Sequence, residues 1–275
     1  MRKKDIRIRD PYIYTDKENG CYYMYGTTAL YEPTLKAGNS FSCYKSYDLE
    51  EFEGPFEIFK GDESFWADRD FWAAELHVYE GKYYLFGSCK TEGHRRATHI
   101  FVSDKPNGRF VPVSDKPVTP EEWECLDGTF FVEDGKPYMV FCHEWKQVHD
   151  GEICAIELSS DLSRAVGEPK LLFRATDNPI MKNHNTPTGD YVTDGPFLWR
   201  EGGKIKMIWS SVCNEQYLVL PAEADHLFGE WQHAGPMFDF SGGHAMVFYD
   251  LDGKRKISLH RPNIPLEERA FFYEF

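Results

Sequence analysis

A hairpin signature that recurs five times constrains this chain more than any other feature of its sequence. Each copy has a short apolar or aromatic run, a turn carrying an acid and a glycine, and a second aromatic or β-branched run. The copies read PYIYTDKENGCYYMYG from Pro11, LHVYEGKYYLFG from Leu76, TFFVEDGKPYMVF from Thr129, PFLWREGGKIKMIW from Pro196 and AMVFYDLDGKRKISL from Ala245. Their turn glycines, Gly20, Gly81, Gly135, Gly202 and Gly253, stand roughly 50–70 residues apart, the length of one propeller blade. Further strand-like sequence follows each hairpin, ending with RAFFYEF as the outer strand of the last unit. The expected fold is therefore all-β, a five-bladed β-propeller spanning 1–275 as one domain. Radial repetition lets each sheet bury two faces and leaves only short edges.

Composition narrows the partners. Aromatic residues make up 16% of the chain, which favours strands over long helices. Asp and Glu outnumber Lys and Arg by 45 to 31, a formal charge of -14 that repels phosphate backbones and anionic membrane surfaces. Nucleic acid and membrane are not expected partners. The start, MRKKDIRIRD, has basic residues without an apolar stretch behind them. The 7 cysteines are odd in number and form no C-x-x-C pair. Reduced, buried thiols in a cytoplasmic protein are the expectation.

The residues that lead the five copies carry the chemistry. They are Asp10, Glu75, Asp127, Asp194 and His244, and in a propeller the starts of the innermost strands converge near the axis. Charges aimed at a common axis are costly to bury unless they serve chemistry, an ion or each other. Facing carboxylates are the equipment for glycosidic bond cleavage, because one draws a proton from water while another gives one to the leaving oxygen. Aromatic rings suit the C–H faces of sugars, and Phe71, Trp72, Phe130, Trp145 and Trp199 are candidates to line such a pocket. Arg261 in LHRPN could reach a sugar hydroxyl or pair with one of the axial acids. A hydrolytic site of this kind requires no cofactor, although a structural calcium at the axis near His244 suits an oxygen-rich channel.

With these motifs in place, the chain resembles the glycoside hydrolase family 43 enzymes, five-bladed propellers acting on arabinose- and xylose-containing glycans. The resemblance covers nearly the whole sequence. R-D-P at the N-terminus is similar to the family's general-base motif and implies that Asp10 activates water. LDGTFFVEDGK is similar to the middle-acid motif and implies that Asp127 tunes and orients the proton donor. WAAELHVYEGKYYLF implies a place for Trp72 and Ala73 at the sugar pocket, and SGGHAMVF implies that His244 sits by a central water or ion.

One departure stands out, because the family's E-G-P donor motif is matched here by Thr193-Asp194-Gly195-Pro196. The missing methylene shortens the reach by about 1.5 Å. Asp194 is the first candidate donor, Glu144 the second, and Glu215 a further one. The acids of FKGDESFWADRDFW, Asp62, Glu63, Asp68 and Asp70, are expected on a solvated rim.

The resemblance implies an inverting, exo-acting hydrolase of oligosaccharides, with α-L-arabinofuranosides first and β-xylosides second. Two alternatives compete. A retaining, invertase-like enzyme is suggested by Glu124-Cys125, although the chain opens with R-D-P and lacks Asn-Asp-Pro. A non-catalytic carbohydrate-binding propeller is suggested by the altered donor motif.

Overall fold

The computed structural model describes residues 1–28, 38–184 and 188–275. Among the described residues the strands form five small antiparallel sheets, each in up-and-down order. Blade one comprises β1 (Arg9–Asp16), β2 (Cys21–Thr27), β3 (Ser40–Ser46) and β4 (Phe52–Lys60). Blade two comprises β5 (Arg69–Tyr79), β6 (Lys82–Lys90), β7 (Ala97–Ser103) and β8 (Val111–Pro112). In blade three, β9 (Cys125–Glu133) and β10 (Lys136–His143) are followed by a one-turn helix, α1 (Trp145–Val148), then by β11 (Glu152–Leu158) and β12 (Ala165–Arg174). Blade four holds β13 (Asp194–Glu201), β14 (Lys204–Cys213), β15 (Gln216–Ala224) and β16 (Gln232–His233). Blade five has three strands, β17 (Gly243–Tyr249), β18 (Arg255–Arg261) and β19 (Arg269–Glu274).

The five hairpins read from the sequence are the two inner strands of the five blades, and RAFFYEF supplies β19 as expected. Neighbouring blades pack face to face, β2 on β5, β6 on β9, β9 on β13, β14 on β17 and β17 back on β1. Inner strands are thus covered on both faces, which explains why they read as continuous apolar runs rather than alternating ones. All of β2 is buried. Blades one and two approach so closely that a Cβ on Gly87 would lie 2.3 Å from the Phe41 ring, so this strand position accepts only glycine. All seven cysteines are free and buried.

Ring closure between the last and first blades uses side chains and backbone. Thr15 Oγ1 donates to the Tyr249 carbonyl (2.6 Å), the Leu251 N–H donates to Tyr22 Oη (2.9 Å), and Ser258 Oγ donates to the Pro11 carbonyl.

A bulge interrupts the first strand of every blade near its start. Regular pairing resumes at Tyr12, Glu75, Thr129, Phe197 and Met246. Two positions earlier, the backbone has positive φ in all five: Asp10 (54°), Ala73 (48°), Asp127 (56°), Gly195 (51°) and His244 (49°). Non-glycine residues rarely adopt this region, and bulges re-aim the side chains they carry. The leading residues picked from the sequence therefore fall on the bulge in three blades, whereas Glu75 lies two residues after it and Asp194 one before.

The N–H of each bulge residue needs an acceptor, because it is turned out of its own ladder. Four are accepted by the preceding blade, each by a residue two places beyond the partner at which pairing resumes. Thr27 Oγ1 accepts from Ala73 (2.8 Å), Ser88 Oγ from Asp127 (2.9 Å), Ser210 Oγ from His244 (2.8 Å) and His260 Nδ1 from Asp10 (3.1 Å). The equivalent position between blades three and four is Cys142, and there the Gly195 N–H turns instead to Asp127 Oδ2 (3.1 Å). Replacing Ser210 by Ala leaves a buried N–H unpaired and is expected to lower unfolding stability by about 1–3 kcal/mol, measured as a reduced urea midpoint at unchanged m-value.

Candidate active site

The bulged strand starts bring residues from all five blades around one cavity of about 320 Å³. Asp10, Asp127, Asp194 and His244 line it, with Arg9, Trp72 and Leu126 from the positions just before the bulges. Side walls come from Glu144 and from Trp145 and Lys146 of α1, with Tyr217 of β15 and the Pro265 and Glu268 segment before β19. The acids picked out as a catalytic set in the sequence are thus assembled in one place, although they lie far apart in the chain.

His244 stands among the carboxylates. Its Nδ1 lies 3.4 Å from Asp10 Oδ1 and 3.7 Å from Asp127 Oδ2, and its Nε2 lies 4.0 Å from Glu75 Oε1. Glu75 itself is buried and faces His77 Nε2 at 3.1 Å, and it does not line the cavity. A Cβ on Gly195 would come within 2.7 Å of the His244 ring, so the glycine of T-D-G-P lets this histidine reach the acids.

Environment separates the three aspartates. Burial opposes the charge on Asp10, but His244 and Arg9, together with the Thr27 hydroxyl, which donates to Oδ2 at 2.7 Å, draw its pKa below the ordinary value. Asp194 goes the other way, as burial and then the charge of Asp127 push its pKa up to about 7, against His244 and a hydrogen bond from Tyr217 Oη to Oδ2 at 3.1 Å. Burial and the neighbouring Asp10 also raise Asp127, opposed by the Gly195 N–H. The result is one carboxylate held charged and one that keeps its proton toward neutrality, the division of labour needed by an acid and a base acting on one bond.

His260 supports this division. Burial lowers its pKa to about 4, and its Nδ1 accepts the Asp10 N–H, so the ring is neutral with its proton on Nε2, directed to Asn263 Oδ1 at 3.2 Å. Its closeness to Asp10 Oδ1 is therefore not an ion pair. Arg9 is tied to Glu268 (3.0 Å) and Asn263 (3.0 Å), which fixes a cation beside Asp10.

Glu144 lines the cavity, but its carboxylate is engaged by Lys146 Nζ at 3.3 Å and by Arg96 Nε at 3.9 Å. Asp194, the first donor candidate, is held by burial in the protonated state toward neutrality. Glu215 sits exposed in the β14–β15 turn, away from the cavity. Glu124, which suggested the invertase-like comparison, turns to Lys90 (3.2 Å) and the Arg96 N–H (2.9 Å) and is not among the lining residues.

The aromatic expectations divide. Trp72 and Trp145 line the cavity, and the buried Arg96 guanidinium lies 3.8 Å from the Trp72 ring centroid, bonded also to Asp70 at 3.1 Å. Asp70 is thus partnered to a buried cation instead of standing free on the rim. Phe71 belongs to the core, against Phe41 at 5.0 Å, because the strand alternation that presents Trp72 sends its neighbour to the other face. Phe130 packs among Tyr79, Phe86 and His77, beyond the bulge and away from the cavity. Arg261 lies over Phe240 at 4.1 Å and donates to Tyr273 Oη at 2.8 Å, so it contacts neither the cavity nor an axial acid. Trp199 lies in a separate outer groove with Phe275.

The expectation of an axial calcium near His244 is not supported by a ligand cluster among the described residues. Among the described residues no group of three or more His, Cys, Asp or Glu side chains converges as metal ligands would. One oxygen of each acid there is engaged, Asp10 Oδ2 by the Thr27 hydroxyl, Asp127 Oδ2 by the Gly195 N–H and Glu75 Oε2 by His77. His143 and His149, which flank Glu144 in the chain, have separate partners, the first Glu152 and Gln147 and the second Asp190. Tyr217, Thr27 and His260 escaped the sequence reading, since each owes its place to register between blades and not to a local motif.

Known proteins agree with this architecture. The structure described as an endo-arabinase from Bacteroides thetaiotaomicron superposes with a TM-score of 0.88 at 36% identity, covering 100% of this chain and 96% of that one. An α-L-arabinofuranosidase from Lactobacillus brevis shares the fold, with a TM-score of 0.76 at 17% identity over 100% of this chain and 94% of the other. A relative from Bacteroides ovatus named "Xylosidase/arabinosidase" is 22% identical over 231 residues, 75% of this chain and 68% of its own length. The sequence profile of "Glycosyl hydrolases family 43" matches residues 5–270. With five blades and a cavity lined by acids from three of them, the chain belongs to glycosyl hydrolase family 43, whose members hydrolyse glycosidic bonds.

Proposed function

We propose that this enzyme is an inverting, exo-acting hydrolase that removes α-L-arabinofuranosyl units from oligosaccharides. The carrying observation is the opposed protonation of Asp10 and Asp194 at one cavity. In this reading Asp10, charged, draws a proton from a water that attacks the anomeric carbon. Asp194 gives its proton to the leaving oxygen as the bond breaks, and the displaced alcohol departs neutral. Asp127 supplies the negative charge that keeps the Asp194 proton in place, and Trp72 and Trp145 offer faces for the sugar ring. A cavity of about 320 Å³ lies at the lower end of the range for small-molecule sites and suits a terminal sugar. The arabinosyl preference is supported by the 36% identical structure described as an endo-arabinase.

That same likeness favours a second reading, endo cleavage within an arabinan, and the name of the Bacteroides ovatus relative keeps β-xylosides as the next substrate class. A panel of aryl α-L-arabinofuranoside, aryl β-D-xyloside and linear arabinan separates these. Release of arabinose with inverted configuration, read by proton NMR of the first-formed anomer, is the expected result. Retention of configuration, or binding by calorimetry without turnover, overturns the proposal.

Asp10→Asn and Asp194→Asn are each expected to lower kcat/KM on the best substrate by about 10²–10⁴-fold, while Glu144→Gln retains far more activity. Turnover within a few-fold of the parent in Asp10→Asn removes the proposed base. The pH profile follows from the two shifts. Activity needs Asp194 protonated, so it falls as pH rises through about 7, whereas the acidic limb lies below the ordinary aspartate value of 3.8 because Asp10 stays charged there. Initial rates across the pH range check both limbs.

A further inference from the structure

We propose that Cys142 is a positioning residue for this site, and that its weakness as a hydrogen-bond acceptor is what leaves the Gly195 N–H free to hold the Asp127 carboxylate. This rests on the reading that Asp127 serves the chemistry.

The argument comes from the fivefold equivalence. Thr27, Ser88, Cys142, Ser210 and His260 occupy one register position on the second strands, opposite Arg9, Trp72, Leu126, Asp194 and Gly243. Four of the five present an oxygen or a ring nitrogen, and each takes the bulge N–H of the next blade. A thiol accepts weakly. At that one link the N–H is released from the ring and turns to Asp127 Oδ2 at 3.1 Å. The Cys142 thiol is fully buried beside Thr193, Asp127 and Asp194, so an acceptor introduced at this position would sit where it can compete.

Asp127 is a group for which one donor matters. Asp10 of β1, Glu75 of β5 and Asp194 of β13 face it with like charge or the potential for it, while His244 of β17 and Arg96 before β7 oppose them, and the phenol of Tyr217 of β15 lies close by. The Gly195 N–H favours the charged form. Losing it makes Asp127 hold a proton more readily, and the charge that lifts Asp194 is then diminished. The donor would shed its proton at lower pH.

Two variants separate positioning from packing. Cys142→Ser installs the acceptor found in the neighbouring blades, and Cys142→Ala removes the side chain without offering one. Expected for Cys142→Ser is an alkaline limb of kcat/KM displaced to lower pH by at least about half a unit, with Cys142→Ala keeping the parent limb. A packing role moves neither limb, or both alike, and that outcome overturns the proposal.

A second measurement needs neither turnover nor a variant. In protein labelled with ¹⁵N-glycine, the Gly195 amide of the parent is expected to shift with pH as Asp127 titrates, and Cys142→Ser to flatten that response. A Gly195 amide that does not respond to pH in the parent refutes the inference on its own. Failure of the arabinosidase reading shows instead as an inactive substrate panel with the amide response intact.

Discussion

The site depends on a backbone conformation before it depends on any side chain. One residue per blade has positive φ at the start of the innermost strand; this turn releases its N–H toward the neighbouring blade and, at Asp10, Asp127 and His244, aims the side chain into a shared cavity. Such conformations are costly for Asp and His, about 1–3 kcal/mol each, and persist only where the surroundings fix them. Here the acceptors of the preceding blade do the fixing, so blade packing and site geometry are the same set of contacts.

Electrostatics builds on that frame. Burial is shared by Asp10, Asp127 and Asp194, so burial alone would push all three toward the neutral form. What separates them is the company each keeps. His244 favours the charged form of both Asp10 and Asp194, but Asp10 also has Arg9 and the Thr27 hydroxyl, whereas Asp194 has the charge of Asp127 against it and only a tyrosine hydroxyl besides. Arg9 can act because Glu268 and Asn263 hold its guanidinium. The shorter side chain at position 194 thus keeps its proton toward neutrality.

Much of this was readable in the chain itself. Turn glycines and aromatic runs fixed blade number and the strand pairing within blades, since both follow from local chemistry repeated at a steady interval. Asp10, Asp127 and His244 were identifiable because each leads a copy. Glu75 and Phe71 show where such reading stops: a shift of one or two residues across a bulge moves a side chain from cavity to core, and no local pattern marks the bulge. Tyr217 and His260 were beyond reach for a different reason. Each looks like ordinary strand sequence, and its role arises only when another blade is placed against it.

The burial that lifts Asp194 has a cost that falls on the whole molecule. Between pH 3.8 and about 7 the folded protein retains a proton that the unfolded chain releases, so the fold loses support as the solution becomes less acidic. Near neutrality the working site is a thermodynamic burden carried by the rest of the propeller. An amide at position 194 carries no such burden, so a protein with Asn there is expected to outlast the parent on heating, the trade-off expected wherever chemistry requires a misfit group.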